Sequence, residues 1–234
     1  MGRLATVWAL LALAVSAADA EPLRILLVTG GHSYDNAFHS VFEQPEADWR
    51  VTINPHPAAF SGDIRGRYDA VVLYDMTSEV DEERRKNLRA YVEAGGGLLV
   101  LHHAILDYQD WPWFEQTVGG KYLESDEGED AASTYLHDVE MVVRVVAKHP
   151  VTAGLEDFRI EDETYGGMRI SDANRVLLET DEKSSDGPVA WVSSYPRARV
   201  VYVQLGHGPA AHRDAHFRRL VRNAIEWVAE PPGR

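Results

Sequence analysis

The chain has 234 residues, a formal net charge of −14 from 23 Lys and Arg against 37 Asp and Glu, and no cysteine. The acidic balance repels phosphate groups, so we expect neither nucleic acid nor an anionic membrane surface as a partner. The absence of thiols excludes disulfides, zinc–cysteine sites, iron–sulfur clusters and a cysteine nucleophile.

Residues 1–20 have the pattern of a secretory signal peptide. A positive start at Arg3 precedes an almost unbroken apolar stretch over residues 4–17, and Ala18 and Ala20 are the small residues of a cleavage site. About fourteen apolar residues are too few to cross ~30 Å of hydrocarbon, which argues against a membrane anchor. We therefore expect an exported protein, periplasmic or secreted, whose mature domain spans residues 21–234.

Strand-like and helix-like segments alternate in the first half of the mature chain. Helices are predicted at residues 36–43 and 81–94, the second one beginning at Asp81. Buried or half-buried strands are predicted by four apolar or alternating segments, residues 24–29, 49–54, 68–74 and 98–101. Such alternation predicts an α/β fold with an open, mostly parallel sheet and helices on both faces.

The second half begins with an irregular section, residues 109–134. Its acidic part, residues 124–130, lacks the spacing of a helix-loop-helix calcium site and is interpreted as a solvated loop. A last helix is predicted over residues 217–228, where the apolar residues share one face. Between them lie four strand-like segments, residues 139–146, 175–178, 189–193 and 199–205.

Histidines follow three of the predicted strands. His32 follows the first strand, His102 and His103 follow the strand at 98–101, and His207 follows the last one. Ligands of open α/β sheets bind beyond the carboxyl ends of the strands, so we expect these side chains to meet in one crevice. If strand alternation continues past residue 101, only one of the two adjacent histidines faces the crevice, and we favour His103.

Two roles are open to these histidines. The neutral imidazoles of His32, His103 and His207 could bind a divalent metal such as zinc. They could equally act as general acid and base on a hydroxyl-rich substrate. No spaced histidine motif decides between the two roles. A Ser-His-Asp triad is disfavoured, because no serine stands at the turn after Leu101.

Two further clusters each have two interpretations. Glu163 with Tyr165 suits proton transfer or hydrogen bonding to a sugar, whereas acidic segments of this kind usually lie in solvated loops. The aromatic group that includes Trp113 and Tyr122 could form a stacking platform for a carbohydrate ring, and core packing is an equally good explanation.

A set of short motifs extends along nearly the whole mature chain. In chain order they are GGHSYD at 30–35, GGGLLVLHHA at 95–104, WF at 113–114, VGGKY at 118–122, HPVTAGL at 149–155, DETY at 162–165, PVAW at 188–191 and RVVYVQLGH at 199–207. Together they resemble the ThuA-like, or trehalose-utilisation, family. The resemblance implies a flavodoxin-like sheet of the class I glutamine-amidotransferase type. That superfamily has its nucleophilic cysteine where this chain has His102 and His103, so the thioester route is closed.

The resemblance also implies a role in sugar catabolism, including keto-derivatives of disaccharides, and it adds Glu163 and Tyr165 to the site. We therefore expect an exported enzyme that acts on a small carbohydrate, with His103, His207 and Glu163 as its catalytic residues. The expected substrate contacts are His32, Tyr34, His39, Trp113, Tyr122 and Tyr165. The alternative is a non-catalytic sugar-binding module that keeps an amidotransferase-like fold without the nucleophile.

Overall fold

A nine-stranded sheet runs through the computed structural model, which describes residues 21–77 and 80–231. The predicted signal peptide, residues 1–20, lies outside these described residues. Within them, every helix is too short or too polar to cross a membrane. A separate two-stranded sheet lies beside the large one.

The strands and helices follow one another in an α/β order. The strands are β1 (Leu23–Gly30), β2 (Trp49–Pro55), β3 (Ala70–Asp75), β4 (Gly97–Leu101), β5 (Gly120–Lys121), β6 (Thr134–Val145), β7 (Phe158–Gly166), β8 (Arg169–Ile170), β9 (Arg175–Thr180), β10 (Pro188–Val192) and β11 (Val200–Val203). The α-helices are α1 (Glu82–Glu93), α2 (Pro112–Val118), α3 (Pro209–Arg213) and α4 (Ala215–Ala229). Short 3-10 turns occupy Asn36–Phe42, Ala58–Phe60, His102–Leu106 and Pro150–Thr152.

The large sheet has a parallel half and an antiparallel extension. Its strand order is β2-β1-β3-β4-β11-β10-β9-β6-β7. The strands from β2 to β11 are parallel neighbours, and those from β10 to β7 are antiparallel. The structure thus confirms the predicted α/β fold, with its mostly parallel strands concentrated around β1, β3 and β4.

Apolar side chains on both sheet faces explain why the central strands are continuous apolar segments. Alternate residues of β1 enter two separate cores, Ile25 on one face and Leu26 on the other. Helix α4 covers the first face with a stripe that includes Phe217, and α1 covers the second with Leu88. Helices on both faces are the arrangement that buries a parallel sheet completely.

Strand β7 was not predicted, although it carries part of the candidate site. Polar residues such as Glu161 and Asp162 interrupt any apolar pattern over this segment. The strand forms because it pairs antiparallel with β6, and residues 162–165 are buried there. The solvated-loop interpretation of Glu163 and Tyr165 is therefore wrong.

Candidate functional site

A cavity of about 450 Å³ lies beyond the carboxyl ends of β1, β4 and β11. Small-molecule sites typically enclose roughly 300–1,000 Å³, so the cavity has the size of a small-ligand site. Its lining residues are His32, Met76, His102, His103, Leu106, Tyr122, Glu124, Ser133, Tyr135, His137, Glu163, Tyr165 and His207.

The histidines at the strand ends meet in this cavity. The ring centroid of His32 lies 4.7 Å from that of His103 and 6.0 Å from that of His207. The rings of His102 and His207 are 5.1 Å apart. Three strands that are distant in sequence therefore deliver their imidazoles to one place, as expected from the parallel topology.

Both His102 and His103 line the cavity, so the expectation that only one of them would do so is wrong. Strand β4 ends at Leu101, and His102 has a left-handed backbone with φ of 51°. The alternation of a strand therefore stops before the histidines, and the turn directs two successive side chains toward the same space.

His102 has a tautomer that is fixed by the backbone. Its Nδ1 lies 2.6 Å from the carbonyl oxygen of Gln204, so Nδ1 carries the hydrogen and donates it. Burial, followed by the proximity of His103, lowers the pKa of His102 well below its ordinary value. The neutral ring therefore presents the lone pair of Nε2 to the cavity, 3.1 Å from His207 Nδ1 and 3.2 Å from the Tyr165 hydroxyl.

Glu163 lies next to these nitrogens. Its side chain is only 6% exposed, with Oε1 3.6 Å from His102 Nε2 and Oε2 3.3 Å from His207 Nδ1. Nδ1 of His137 contacts Oε2 as well. Burial raises the pKa of Glu163, and the nearby His137 opposes part of that shift.

Asp162 holds the Glu163 strand against the turn that carries His207. Its carboxylate accepts backbone N–H bonds from Gly206 at 2.7 Å, from His207 at 2.9 Å and from Glu163 at 2.9 Å. Burial raises the pKa of Asp162 to about 7 although these three hydrogen bonds favour the charged form. The carboxyl group thereby fixes His207 beside Glu163.

His103 also belongs to the histidine group, with its ring 5.2 Å from that of His102. Its ring lies between those of His32 and Tyr74, at 4.7 Å and 4.5 Å. Both ring nitrogens are buried. Burial lowers the pKa of His103 to about 3, although a hydrogen bond with the Tyr74 backbone favours the charged form, so the ring is neutral.

Three of the expected substrate contacts lie elsewhere. Tyr34 and His39 pack against Phe38, behind the cavity-lining residues. Trp113 packs against Trp111 in a cluster of aromatic side chains. Tyr122 and Tyr165, by contrast, belong to the cavity wall.

One group of residues in the described part of the chain has the arrangement of a metal site. His102, Glu163 and His207 each offer one ligand atom, and these atoms lie within 4.8 Å of one another. The expected metal ligands were His32, His103 and His207. Only His207 belongs to both groups.

Six of the cavity-lining residues were not candidates in the sequence reasoning: Met76, Leu106, Glu124, Ser133, Tyr135 and His137. His137 and Tyr135 precede the segment predicted as a strand, so no pattern marked them. The sequence offers only weak evidence for His137, namely its position two residues before the alternating apolar residues that begin at residue 139.

Comparisons with known proteins bear on the fold. The sequence profile of the ThuA family, described as trehalose utilisation, matches residues 24–228. A ThuA-like protein from Parabacteroides merdae is 22% identical, with a TM-score of 0.76 over 91% of this chain and 92% of that chain. A ThuA-like protein from Bacteroides uniformis is 22% identical, with a TM-score of 0.67 over 90% and 93%.

A Thermoplasma acidophilum protein described as part of a GMP synthase is 15% identical, with a TM-score of 0.58 over 89% of this chain and 94% of that chain. Likeness at these identities shows the fold alone. A search of the curated proteins finds no significant match.

Proposed function

The chain belongs to the ThuA family, and from that membership we propose that it is an exported enzyme that acts on a small carbohydrate in the histidine-lined cavity. The family's description as trehalose utilisation supports a carbohydrate-related role. The observation that carries the enzymatic part is the convergence of His102, Glu163 and His207 on one wall of a cavity of small-molecule size. Export rests on the signal-peptide pattern of residues 1–20.

The polar groups of the cavity suit a neutral, hydroxyl-rich ligand. Imidazoles and phenols can each donate or accept a hydrogen bond, as sugar hydroxyls do. His103 lines the cavity with a neutral imidazole that can form such a bond, and Tyr122 adds an aromatic face with a hydroxyl. A pKa of about 3 makes His103 a poor proton acceptor, so binding of a hydroxyl suits it better than general-base catalysis.

We further propose that His102, Glu163 and His207 hold a divalent metal, with zinc as the first candidate. The residues fit such an ion, because two imidazoles and a carboxylate form one of the three-ligand sets that hold catalytic zinc. His102 also has the supporting bond that metal-binding histidines require, since its Nδ1 donates to the Gln204 carbonyl. A bound divalent ion would polarise a sugar oxygen or a water molecule in the cavity.

The remaining residues orient the carbohydrate. His32 and His103, which line the cavity with rings 4.7 Å apart, would bind hydroxyl groups of the ligand. The Tyr165 hydroxyl, beside His102 Nε2, would contact the group that lies nearest the three proposed ligands. Asp162 keeps His207 in place through its backbone bonds.

The test is incubation of the purified mature protein with a panel of disaccharides and keto-saccharides, followed by mass spectrometry. We expect product formation that a chelator abolishes and added zinc restores. His102→Ala and His207→Ala should lose activity, whereas His216→Ala, a change at a histidine on α4, should keep it.

Other outcomes would show which part of the proposed function is wrong: the catalysis or the metal. A sugar that raises the melting temperature but is recovered unchanged would support a binding module instead of an enzyme. Turnover that resists the chelator would leave the carbohydrate proposal intact and overturn the metal. Glu163, whose pKa burial raises, would then be the group suited to carry a proton.

A further inference from the structure

Tyr135 belongs to the cavity wall and is nevertheless 60% exposed. It lies directly opposite Tyr165 in the antiparallel pairing of β6 with β7. Such pairs have their side chains on the same face of the sheet, with Cβ atoms about 4.5–5.5 Å apart. Tyr165 is only 2% exposed, and its hydroxyl lies 3.2 Å from His102 Nε2. One cross-strand pair thus places one phenol inside the cavity and another at its solvent-exposed mouth.

Other rings of the wall lie beside this pair. The ring of Tyr122 is 5.1 Å from that of Tyr165. The ring of His137 is 5.0 Å from that of Tyr135 and 4.5 Å from that of His207. A series of rings therefore leads from the buried histidine group to the exposed Tyr135.

Strand pairing holds the exposed end of this wall in place. The register of β6 against β7 shifts by one residue between Leu136 and Val139, and the strands pair on both sides of the shift. Asp138, within this bulge, has a left-handed backbone with φ of 56°. Bulges are common beside active sites, where they redirect a side chain. The mouth of the cavity is therefore an ordered part of the sheet.

The charges of the wall favour an uncharged ligand at the mouth. Among the described residues that line the cavity, none is Lys or Arg, whereas Glu124 and Glu163 are acidic. Burial, then the charges of Glu163, Tyr135 and Glu124, raises the pKa of Tyr122 to about 12. Glu124 and Tyr135 thus both lie close to Tyr122. A phosphate or carboxylate group in this region would be repelled.

We propose that Tyr135 is the platform of an outer sugar subsite. The ligand is then an uncharged glycoside of at least two rings, one enclosed beside His102 and Tyr165 and the next packed on Tyr135. The apolar C–H face of a sugar ring suits an aromatic ring, and the tyrosine hydroxyl can bond to hydroxyl groups at its edge. The inference rests on the carbohydrate part of the proposed function and needs no metal. An exposed tyrosine without a ligand is the competing explanation.

The experiment compares one sugar ring with two. The purified protein is titrated by calorimetry with glucose, trehalose, maltose and cellobiose, and with a keto derivative of each. The three disaccharides add the same second ring in different directions. The wild type should bind at least one disaccharide more tightly than its one-ring counterpart. Tyr135→Ala should weaken that disaccharide about 5- to 10-fold and change the affinity for the one-ring sugar by less than about twofold.

Three matched measurements make the result specific. Leu136→Ala is the control variant, since Leu136 is the next residue, is 53% exposed and does not line the cavity. It should bind both sugars as the wild type does. Tyr135→Phe should keep most of the disaccharide affinity, because it keeps the ring. The 6-phosphate of the bound disaccharide should bind more weakly than the disaccharide itself.

The outcomes separate this inference from the proposed function. If Tyr135→Ala weakens one-ring and two-ring sugars equally, or weakens neither, the outer subsite is overturned and sugar binding in the cavity stands. If the wild type binds no saccharide of the set, the carbohydrate proposal fails and the subsite with it. Dimerisation that Tyr135→Ala abolishes without changing sugar affinity would assign the ring to a contact between copies. Circular dichroism of each variant excludes loss of folding as the cause.

Discussion

The Nδ1 atom of His102 donates to the backbone carbonyl of Gln204 across 2.6 Å, although the two residues are 102 positions apart in the chain. Both follow neighbouring parallel strands, His102 after β4 and Gln204 after β11. Because the acceptor belongs to the backbone, no side-chain substitution at position 204 removes it. The Nε2 lone pair of His102 is therefore directed into the cavity by the fold itself.

This bond predicts the protonation of His102 in solution. Nitrogen-15 NMR of the metal-free protein should show Nδ1 protonated and Nε2 unprotonated from about pH 5 to 8, the range in which ordinary histidines titrate. The reason is that burial lowers the pKa of this ring well below its usual value. An exposed histidine such as His216 provides the comparison. Titration of His102 within that range would contradict the arrangement.

Asp162 should matter both for stability and for the site. Asp162→Ala leaves three backbone N–H groups, two of them fully buried, without their acceptor, so we expect a loss of about 3 kcal/mol in the free energy of unfolding. Asp162→Asn keeps one carboxyl-like oxygen and should lose less. Urea unfolding measures both values. If alanine has no greater effect than asparagine, the three bonds do not hold the His207 turn.

The buried carboxyl groups of Asp107 and Asp75 predict how the stability of the fold changes with pH. Asp107 accepts the N–H of Thr77 at 2.7 Å and lies near Asp75, which itself pairs with His56 Nδ1 at 2.6 Å. Burial, then the charge of Asp75, raises the pKa of Asp107 well above its ordinary value. The folded state therefore binds this proton more tightly than the unfolded chain does, and stability falls as pH rises above about 4, the ordinary value of the unfolded group.

Asp107→Asn tests that dependence, because an amide keeps the oxygen that accepts from Thr77 and cannot ionise. We expect the variant and the wild type to be equally stable below about pH 4. The variant should become progressively more stable than the wild type as pH rises. Urea midpoints across a pH series give the comparison, with the exposed Asp172→Asn as control. A difference that stays constant with pH would show that another group is responsible.

His103 should separate stability from function. Its buried ring is neutral and makes at most one hydrogen bond to the protein, with the Tyr74 backbone, so His103→Leu should change the free energy of unfolding by no more than about 1 kcal/mol. Turnover or sugar affinity should fall, because the nitrogens available to hydroxyl groups are gone. The measurement pairs urea unfolding with the sugar assay. Loss of stability without loss of sugar affinity would indicate a purely structural ring.

The meeting of the histidines could be predicted from the sequence, whereas their individual roles could not. Continuous apolar segments mark buried parallel strands, and parallel strands bring their carboxyl ends to one edge, so His32, His207 and one of His102 and His103 were expected together. The choice between His102 and His103 depended on the backbone conformation at residue 102. His102 adopts a left-handed φ in the folded turn. A glycine at this position would have indicated that conformation in the sequence, but a histidine does not.

The antiparallel part of the site was harder to predict, because polar residues interrupt the apolar pattern that would indicate strand β7. Glu163 lies in the second half of β7, where residues 162–165 are buried by pairing with β6 and by bonds to the turn after β11. His137 reaches Glu163 through a register shift of one residue, which depends on how two strands align. Trp113 was assigned to the site although it packs against Trp111. The sequence could not prevent this error, because an aromatic cluster and a stacking platform for a sugar have the same amino-acid composition.

The division of the sheet into two halves has a consequence for how this site can change. The parallel half supplies His32, His102, His103 and His207, whereas the β6–β7 ribbon supplies Tyr135, His137 and Glu163. A lengthened or shortened ribbon would reshape the cavity mouth while leaving the histidines of the parallel strands in place. Ligand specificity can therefore be changed, in nature or by engineering, through the β6–β7 ribbon alone.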